Sequence, residues 1–274
     1  MTEIGDFLQS RRARIRPAEV GLPEGVRRRR VPGLRREELA QLAGVSMGYY
    51  TRLEQGAADG ASDSVLDAIA RVLRLDPTET AHLRRLARPG PRRPAPPEVL
   101  RPSVANMVAA IRDVPVLVLG RRFDVLAWNR LCRRVIAPNV AFDATPFNVI
   151  RMIFRDSAAR EIYADWESKA RDNVAFLRVS AAKYPGDTEL AALVGELRTE
   201  VPEFAAMWDE QPIELCATAT RVYRVPGVGE LEFTSEMLAL PDDEGQHLAI
   251  YHPAAGSATE EILRALAAET AGVV

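Results

Sequence analysis

The first 88 residues repeat apolar positions at helical spacing, and short polar breaks cut the repeat into five segments. Ile4, Phe7 and Leu8 form the stripe of a first helix, about Glu3 to Ile15, which Pro17 ends. The stretch from Pro17 to Gly33, broken by proline and glycine, reads as a loop. A short helix from Arg35 to Ala43 stops at Gly44, a residue suited to a left-handed cap. Ser46 offers a side-chain oxygen to the next helix, which runs to about Gln55 and stops at Gly56. A fourth helix spans Ser62 or Asp63 to Leu73, with Val65, Leu66, Ile69, Val72 and Leu73 inward. A fifth starts at Pro77 and ends near Arg88.

The proline-rich run from Pro89 to Pro102 reads as a semi-rigid linker and the best domain boundary. It divides a domain at 1–88 from one at 103–274. Beyond it two short apolar runs, Val116–Leu119 and Val125–Trp128, read as a hairpin turning at Gly120–Arg122. Helical spacing then dominates from Asn129 to about Glu210, including one long charged helix from Ala158 to Lys183. Strand patterns return in ELCATATRVYRV, GELEFTSEMLAL and HLAIYHP, and a last helix covers about Thr259 to Ala268. This order predicts an antiparallel sheet packed with helices, an α+β domain.

The run RREELAQLAGVSMGYYTRLEQG, Arg35 to Gly56, has the geometry of a helix-turn-helix. Leu39, Leu42, Ala43, Val45, Tyr50 and Leu53 supply its apolar seam. Ala40 permits close approach and Gly44 makes the turn. Burying that seam leaves Ser46, Met47, Gly48, Tyr49 and Arg52 facing outward, toward solvent or a DNA major groove. The segment resembles the Xre/Cro phage-repressor-like DNA-binding family, in its actinobacterial branch, over about residues 3–88. The resemblance implies a five-helix lambda-repressor-like fold and a double-stranded DNA operator as partner. It also implies roles for single residues. Arg52 is placed to donate to a guanine edge or to a phosphate, Met47 to touch a thymine methyl, and Gly48 to admit the backbone. Ser46, Tyr49 and Thr51 are expected at phosphates, as is Arg36 at the start of the preceding helix. Glu54 is expected to pair with Arg11 or Arg12. Arg28, Arg29 and Arg30 stand either as a backbone or minor-groove contact or as a solvated basic loop.

Charge agrees with this division. Residues 1–93 carry 18 arginines against 12 carboxylates, whereas the remainder carries 18 basic against 26 acidic residues. A basic head on an acidic body fits binding of a polyanion at one end.

In the second domain, DVLAWNRLCRRV, IYADWESKARDNVAFLR and GVGELEFTSEMLALPDDEGQHLAIYHP resemble the MmyB-like regulator ligand-binding domain, over about residues 105–268. That resemblance implies a PAS-like antiparallel sheet with helices closing a pocket, and a small apolar, fatty-acid-like effector. An acyl pocket needs apolar and aromatic walls with a few polar groups. Trp128, Phe147, Met152, Trp166, Phe176, Phe204 and Trp208 are candidate walls. Asn129, Asn148, Arg171, Thr218 and Arg221 are candidate polar contacts. Core packing is the competing reading for each aromatic residue, and helix capping for Asn129.

Other classes find little support. Cys132 and Cys216 lie far apart and read as buried structural thiols. The 3 histidines lack ligand spacing, so no metal or cofactor is expected. No nucleophile elbow, phosphate loop or dinucleotide fingerprint occurs, so no catalytic residue is expected. No apolar run approaches the ~20 residues that span a bilayer, and a cytoplasmic homodimer is expected. Whether the second domain senses a ligand or only dimerises stays open at this point.

Overall fold

The computed structural model describes residues 2–22, 33–57, 60–88, 97–136, 147–213, 217–241 and 245–271. In the N-terminal half, α1 covers Glu3–Arg14, α2 Arg36–Leu42, α3 Met47–Glu54, α4 Asp63–Val72 and α5 Pro77–Ala87. The expected loop after α1 holds one 3-10 turn, Pro17–Val20, started by the fixed φ of proline. Each later helix start is locally encoded. Ser46 accepts from Tyr49 N–H, Ser62 from Val65 N–H, and Asp76 from Glu79 N–H. Phe7, Leu8, Leu34, Leu39, Tyr50, Leu53, Leu66, Ile69 and Leu83 form one buried core. Leu42 does not join it. The seam runs through Leu39, Ala40 and Ala43, which leaves Leu42 38% exposed on the far side of α2.

The C-terminal half comprises α6 Pro102–Ala110, β1 Val116–Leu119, β2 Val125–Trp128, α7 Arg130–Ile136, α8 Val149–Arg155 and α9 Ser157–Ile162. Next come α10 Trp166–Lys183, α11 Thr188–Glu200, α12 Pro202–Asp209, β3 Thr218–Val225, β4 Gly229–Ala239, β5 His247–His252 and α13 Ala258–Ala271. The strands make one antiparallel sheet in the order β2-β1-β5-β4-β3. Period two explains its two faces. Leu117 and Leu119 face the main core, whereas Val116 and Val118 meet Val104 and Val108 of α6.

The single charged helix expected over Ala158–Lys183 is two helices. Tyr163 leaves the helix to bridge Tyr223 of β3, and Asp165 then caps α10 by accepting from Ser168 N–H at 3.1 Å. Tyr163 is apolar enough to satisfy helical spacing, so periodicity alone hid the break. Cys132 is fully buried, and burial raises its thiol pKa. Cys216 and Arg28, Arg29 and Arg30 lie outside the described residues.

The two halves share a seam. Helix α5 packs on α10, and Ile213, which follows α12, is fully buried in the N-terminal core. Arg11 donates to the Gln211 carbonyl at 2.7 Å and to Glu79 at 2.7 Å. Arg178 of α10 lies over the Trp208 ring at 4.1 Å and donates to Gln211 Oε1 at 2.7 Å. His82 sits in this seam against the Phe7 ring. Burial, with Arg85, Arg178 and Arg11 nearby, lowers its pKa from 6.5 to about 3. Its folded pKa lies below its unfolded one, so protonation favours the unfolded chain. Stability is therefore expected to be complete above about pH 6.5 and to fall steadily toward pH 3. Urea unfolding across that range should show the slope, and His82→Phe should flatten it.

Candidate functional site

The turn between α2 and α3 is built by backbone bonds. Val45 N–H reaches the Ala40 carbonyl at 3.0 Å and Gly44 N–H the Gln41 carbonyl at 3.2 Å, with Gly44 at φ 70°. This pairing satisfies the last carbonyls of α2 and swings α3 outward. Tyr50 and Leu53 anchor the inner face of α3. Ser46, Met47, Gly48 and Arg52 are exposed, with Met47 at 56%. Tyr49 and Thr51 are half-buried, and the Arg52 guanidinium lies 5.9 Å from the Tyr49 ring. The outer side of α3 is therefore open at Ser46, Met47, Gly48 and Arg52, whereas Tyr49, expected outward, packs partly against the N-terminal core.

Beneath that surface, Glu54 joins three helices. Its carboxylate accepts from Arg12 Nε at 3.0 Å and Arg36 Nε at 2.5 Å. Arg12 also donates to the Leu34 carbonyl at 2.6 Å. The Arg36 side chain remains half exposed, with one edge of its guanidinium held by Glu54. The bond to Glu54 raises the pKa of Arg36. Gly5 allows α1 to touch the end of α3, since a Cβ there would stand 1.9 Å from the Glu54 carbonyl oxygen. Thr2, Gln9, Arg36 and Gln55 line a shallow groove beside this joint.

In the C-terminal half a cavity of about 150 Å³ opens between α10 and the sheet. Its apolar walls include Leu119, Phe123, Phe176, Val179 and Met237, and its polar ones Arg121, Ser180, Lys183, Tyr184 and His247. A smaller recess of about 20 Å³ adjoins Lys169, Phe176 and Arg221. The residues expected at a ligand are distributed differently. Phe176 lines both spaces, and Arg221 lines the smaller one while donating to Asp172. Asn129 is fully engaged inside the fold. It accepts from Val116 N–H and Cys132 N–H and donates to the Ile111 and Val114 carbonyls. Asn148 caps α8 and donates to Asp124 and the Arg122 carbonyl.

Phe204 stacks on Trp208 and meets Phe154 edge-on, within the core with Met152. Trp128 stacks on Phe147, and Trp166 donates Nε1–H to the Ile153 carbonyl at 2.8 Å. Arg171 pairs with Glu210 at the surface, and Thr218 donates to Glu236 on exposed β-sheet. Residues such as Lys183, Tyr184 and His247 escaped sequence reasoning. One signal was available: the chain has only two lysines, Lys169 and Lys183, and both stand on α10 beside these spaces.

The cavity is wired to the rest of the chain through Arg121. Its guanidinium is buried and donates to Asp187 at 2.6 Å, while its N–H donates to Glu98 Oε1 at 2.7 Å. Glu98 belongs to the segment entering from the N-terminal half, and Gln246 holds the same segment through the Val99 carbonyl. Burial raises the Glu98 pKa.

An exposed helix on a helix-turn-helix, joined to a sheet domain with its own cavity, defines a DNA-binding transcription regulator. A family model described as MmyB-like transcription regulator ligand binding domain matches residues 100–266, and one described as helix-turn-helix domain matches residues 3–83. The chain belongs to the MmyB-like transcription regulators. No curated protein matches it. Among the described residues no helix is long and apolar enough to cross a membrane.

Proposed function

We propose that this chain is a cytoplasmic, homodimeric and non-catalytic regulator that reads a DNA operator with α3 and adjusts that binding through a small apolar, fatty-acid-like effector in its C-terminal domain. The domains are taken as 1–88 and 103–274, joined by 89–102. One observation carries the regulatory part. Val179 of α10 is a wall of the cavity and also packs against the N-terminal core. A ligand that favours one position of α10 favours one position of the DNA-binding half, in proportion to its differential affinity. The Arg121–Glu98 contact offers a second route, through the interdomain segment.

On DNA, Arg52 takes a guanine edge, Met47 a thymine methyl and Gly48 the close backbone approach. Ser46, Tyr49, Thr51 and Arg36 take phosphates, joined by Arg28, Arg29 and Arg30. A symmetric dimer would read half-sites roughly 34–36 Å apart.

Selection of bound fragments from random DNA, followed by anisotropy titrations, tests the reading. Palindromic fragments are expected. Arg52→Ala should reduce specific binding about 5- to 150-fold, the equivalent of ~1–3 kcal/mol, and change non-specific binding little. Arg36→Ala should weaken both and lower the salt slope by about 1. Equal effects of the two changes, or no binding at any ionic strength, would refute the assigned roles.

A further inference from the structure

We propose that the cavity between α10 and the sheet selects a compact monocarboxylate with an aromatic or short aliphatic body, held by Lys183 and the Tyr184 hydroxyl. The proposal rests on reading that cavity as the effector site, and it narrows the fatty-acid-like effector of that reading to a compact carboxylate, excluding long-chain acids. Volume comes first. A cavity of about 150 Å³ matches one that holds a benzene ring. It admits a body of roughly that size and not a long acyl chain.

The body's shape follows from the walls. Phe123 and Phe176 meet edge-on at 6.3 Å with 67° between ring planes, beside Leu119 and Met237. Ring edges and faces presented together favour a further ring, which gains quadrupole contacts beyond its buried area.

The charge follows from what the lining lacks. Among the described residues no carboxylate lines this cavity, but two cations do. Arg121 is already held by Asp187 and Glu98. Lys183 stands exposed at the mouth with its ammonium 5.1 Å from the Tyr184 ring, and no carboxylate of the described residues pairs with it. Tyr184 Oη is buried without a hydrogen-bond partner, against Gly245 of the same wall. A buried, unpartnered hydroxyl costs about 1–3 kcal/mol, and a ligand oxygen would remove that cost. His247 places Nδ1 3.1 Å from the Gly245 carbonyl, and burial, aided by Lys183, lowers its pKa, so it adds a neutral wall. A carboxylate at the mouth completes both Lys183 and Tyr184 while its body fills the apolar end. In a chain otherwise reliant on arginine, a lysine suits this place. Its flexible stem follows the ligand, and its ammonium is a single point charge.

Isothermal titration of the full chain with phenylacetate, phenylacetamide, octanoate and palmitate tests this. Phenylacetate should bind at least tenfold more tightly than its uncharged amide, and palmitate should neither bind nor compete. Lys183→Met, at an exposed helix end, should lose that tenfold and make acid and amide equal. Tyr184→Phe should lose a smaller factor. Ser180→Leu, which fills the cavity, should abolish binding while leaving the circular dichroism of the chain unchanged. Equal affinity for acid and amide, or tighter binding of palmitate that Ser180→Leu removes, would overturn the proposal while keeping the cavity as a ligand site. Failure of all four probes to bind would overturn both.

Discussion

Glu54→Ala is expected to cost the helix-turn-helix about 3–5 kcal/mol, the usual penalty for removing one partner of a buried ion pair. The Glu54 side chain is 4% exposed and that of Arg12 is 8% exposed. Removing the carboxylate leaves the Arg12 guanidinium inside the protein, where among the described residues the Leu34 carbonyl is its remaining acceptor. The same change frees Arg36, whose side chain is 51% exposed and can rehydrate, so that half of the loss is small. Urea unfolding followed by circular dichroism should show the N-terminal helices melting early. Glu54→Gln, which keeps acceptor geometry without charge, should fall between. A loss below about 1 kcal/mol would show that the carboxylate does not tie α1, α2 and α3 together. DNA binding should fall with stability and recover when the variant is assayed at low temperature.

Asp187→Ala should have a comparable effect in the other half. Its carboxylate is wholly buried and accepts from Arg121 at 2.6 Å and Arg122 at 2.9 Å. It also caps α11 by accepting from Leu190 N–H at 2.9 Å. With it gone, Arg121 loses its 2.6 Å ion pair and Arg122 its bonds to the same carboxylate. A destabilisation of ~3 kcal/mol follows from breaking this buried ion pair and removing the cap of α11. Tryptophan fluorescence reports it cleanly, since Trp128, Trp166 and Trp208 all lie in this half. The pH dependence has a definite sign. Burial pushes the Asp187 pKa up, but hydrogen bonds from Arg121, Leu190 N–H and Arg122 outweigh burial and hold it below the ordinary range. The stabilisation is full above the unfolded pKa, about 4, and disappears as pH falls through the lower folded value. The wild type should thus lose C-terminal stability in acid, and the variant should show little further loss.

The sequence is legible where a local rule decides the structure. Helices α3, α4 and α5 begin at side chains that cap their own backbone, and the hairpin β1–β2 falls where two short apolar runs flank a glycine turn. The exposed face of α3 was legible for a related reason. It is the remainder once Tyr50 and Leu53 are assigned inward. The cavity was not legible. Phe204 and Phe176 are the same chemistry, yet Phe204 fills the core and Phe176 faces the space, a difference set by how α10 and α12 lie on the sheet. Asn129 looked equally suited to a ligand or a cap, and its backbone partners lie up to 18 residues away. The break before α10 likewise depends on Tyr223, far along the chain.

Ile213 gives the architecture a last consequence. A residue from the middle of the C-terminal half, just before its β3 strand, plugs the head's interior in one cluster with Phe7 and Leu83. The DNA-reading portion is therefore not a detachable cassette. A fragment cut after position 88 would carry a greasy notch, and a chimera with a foreign sensor would have to bring its own stopper.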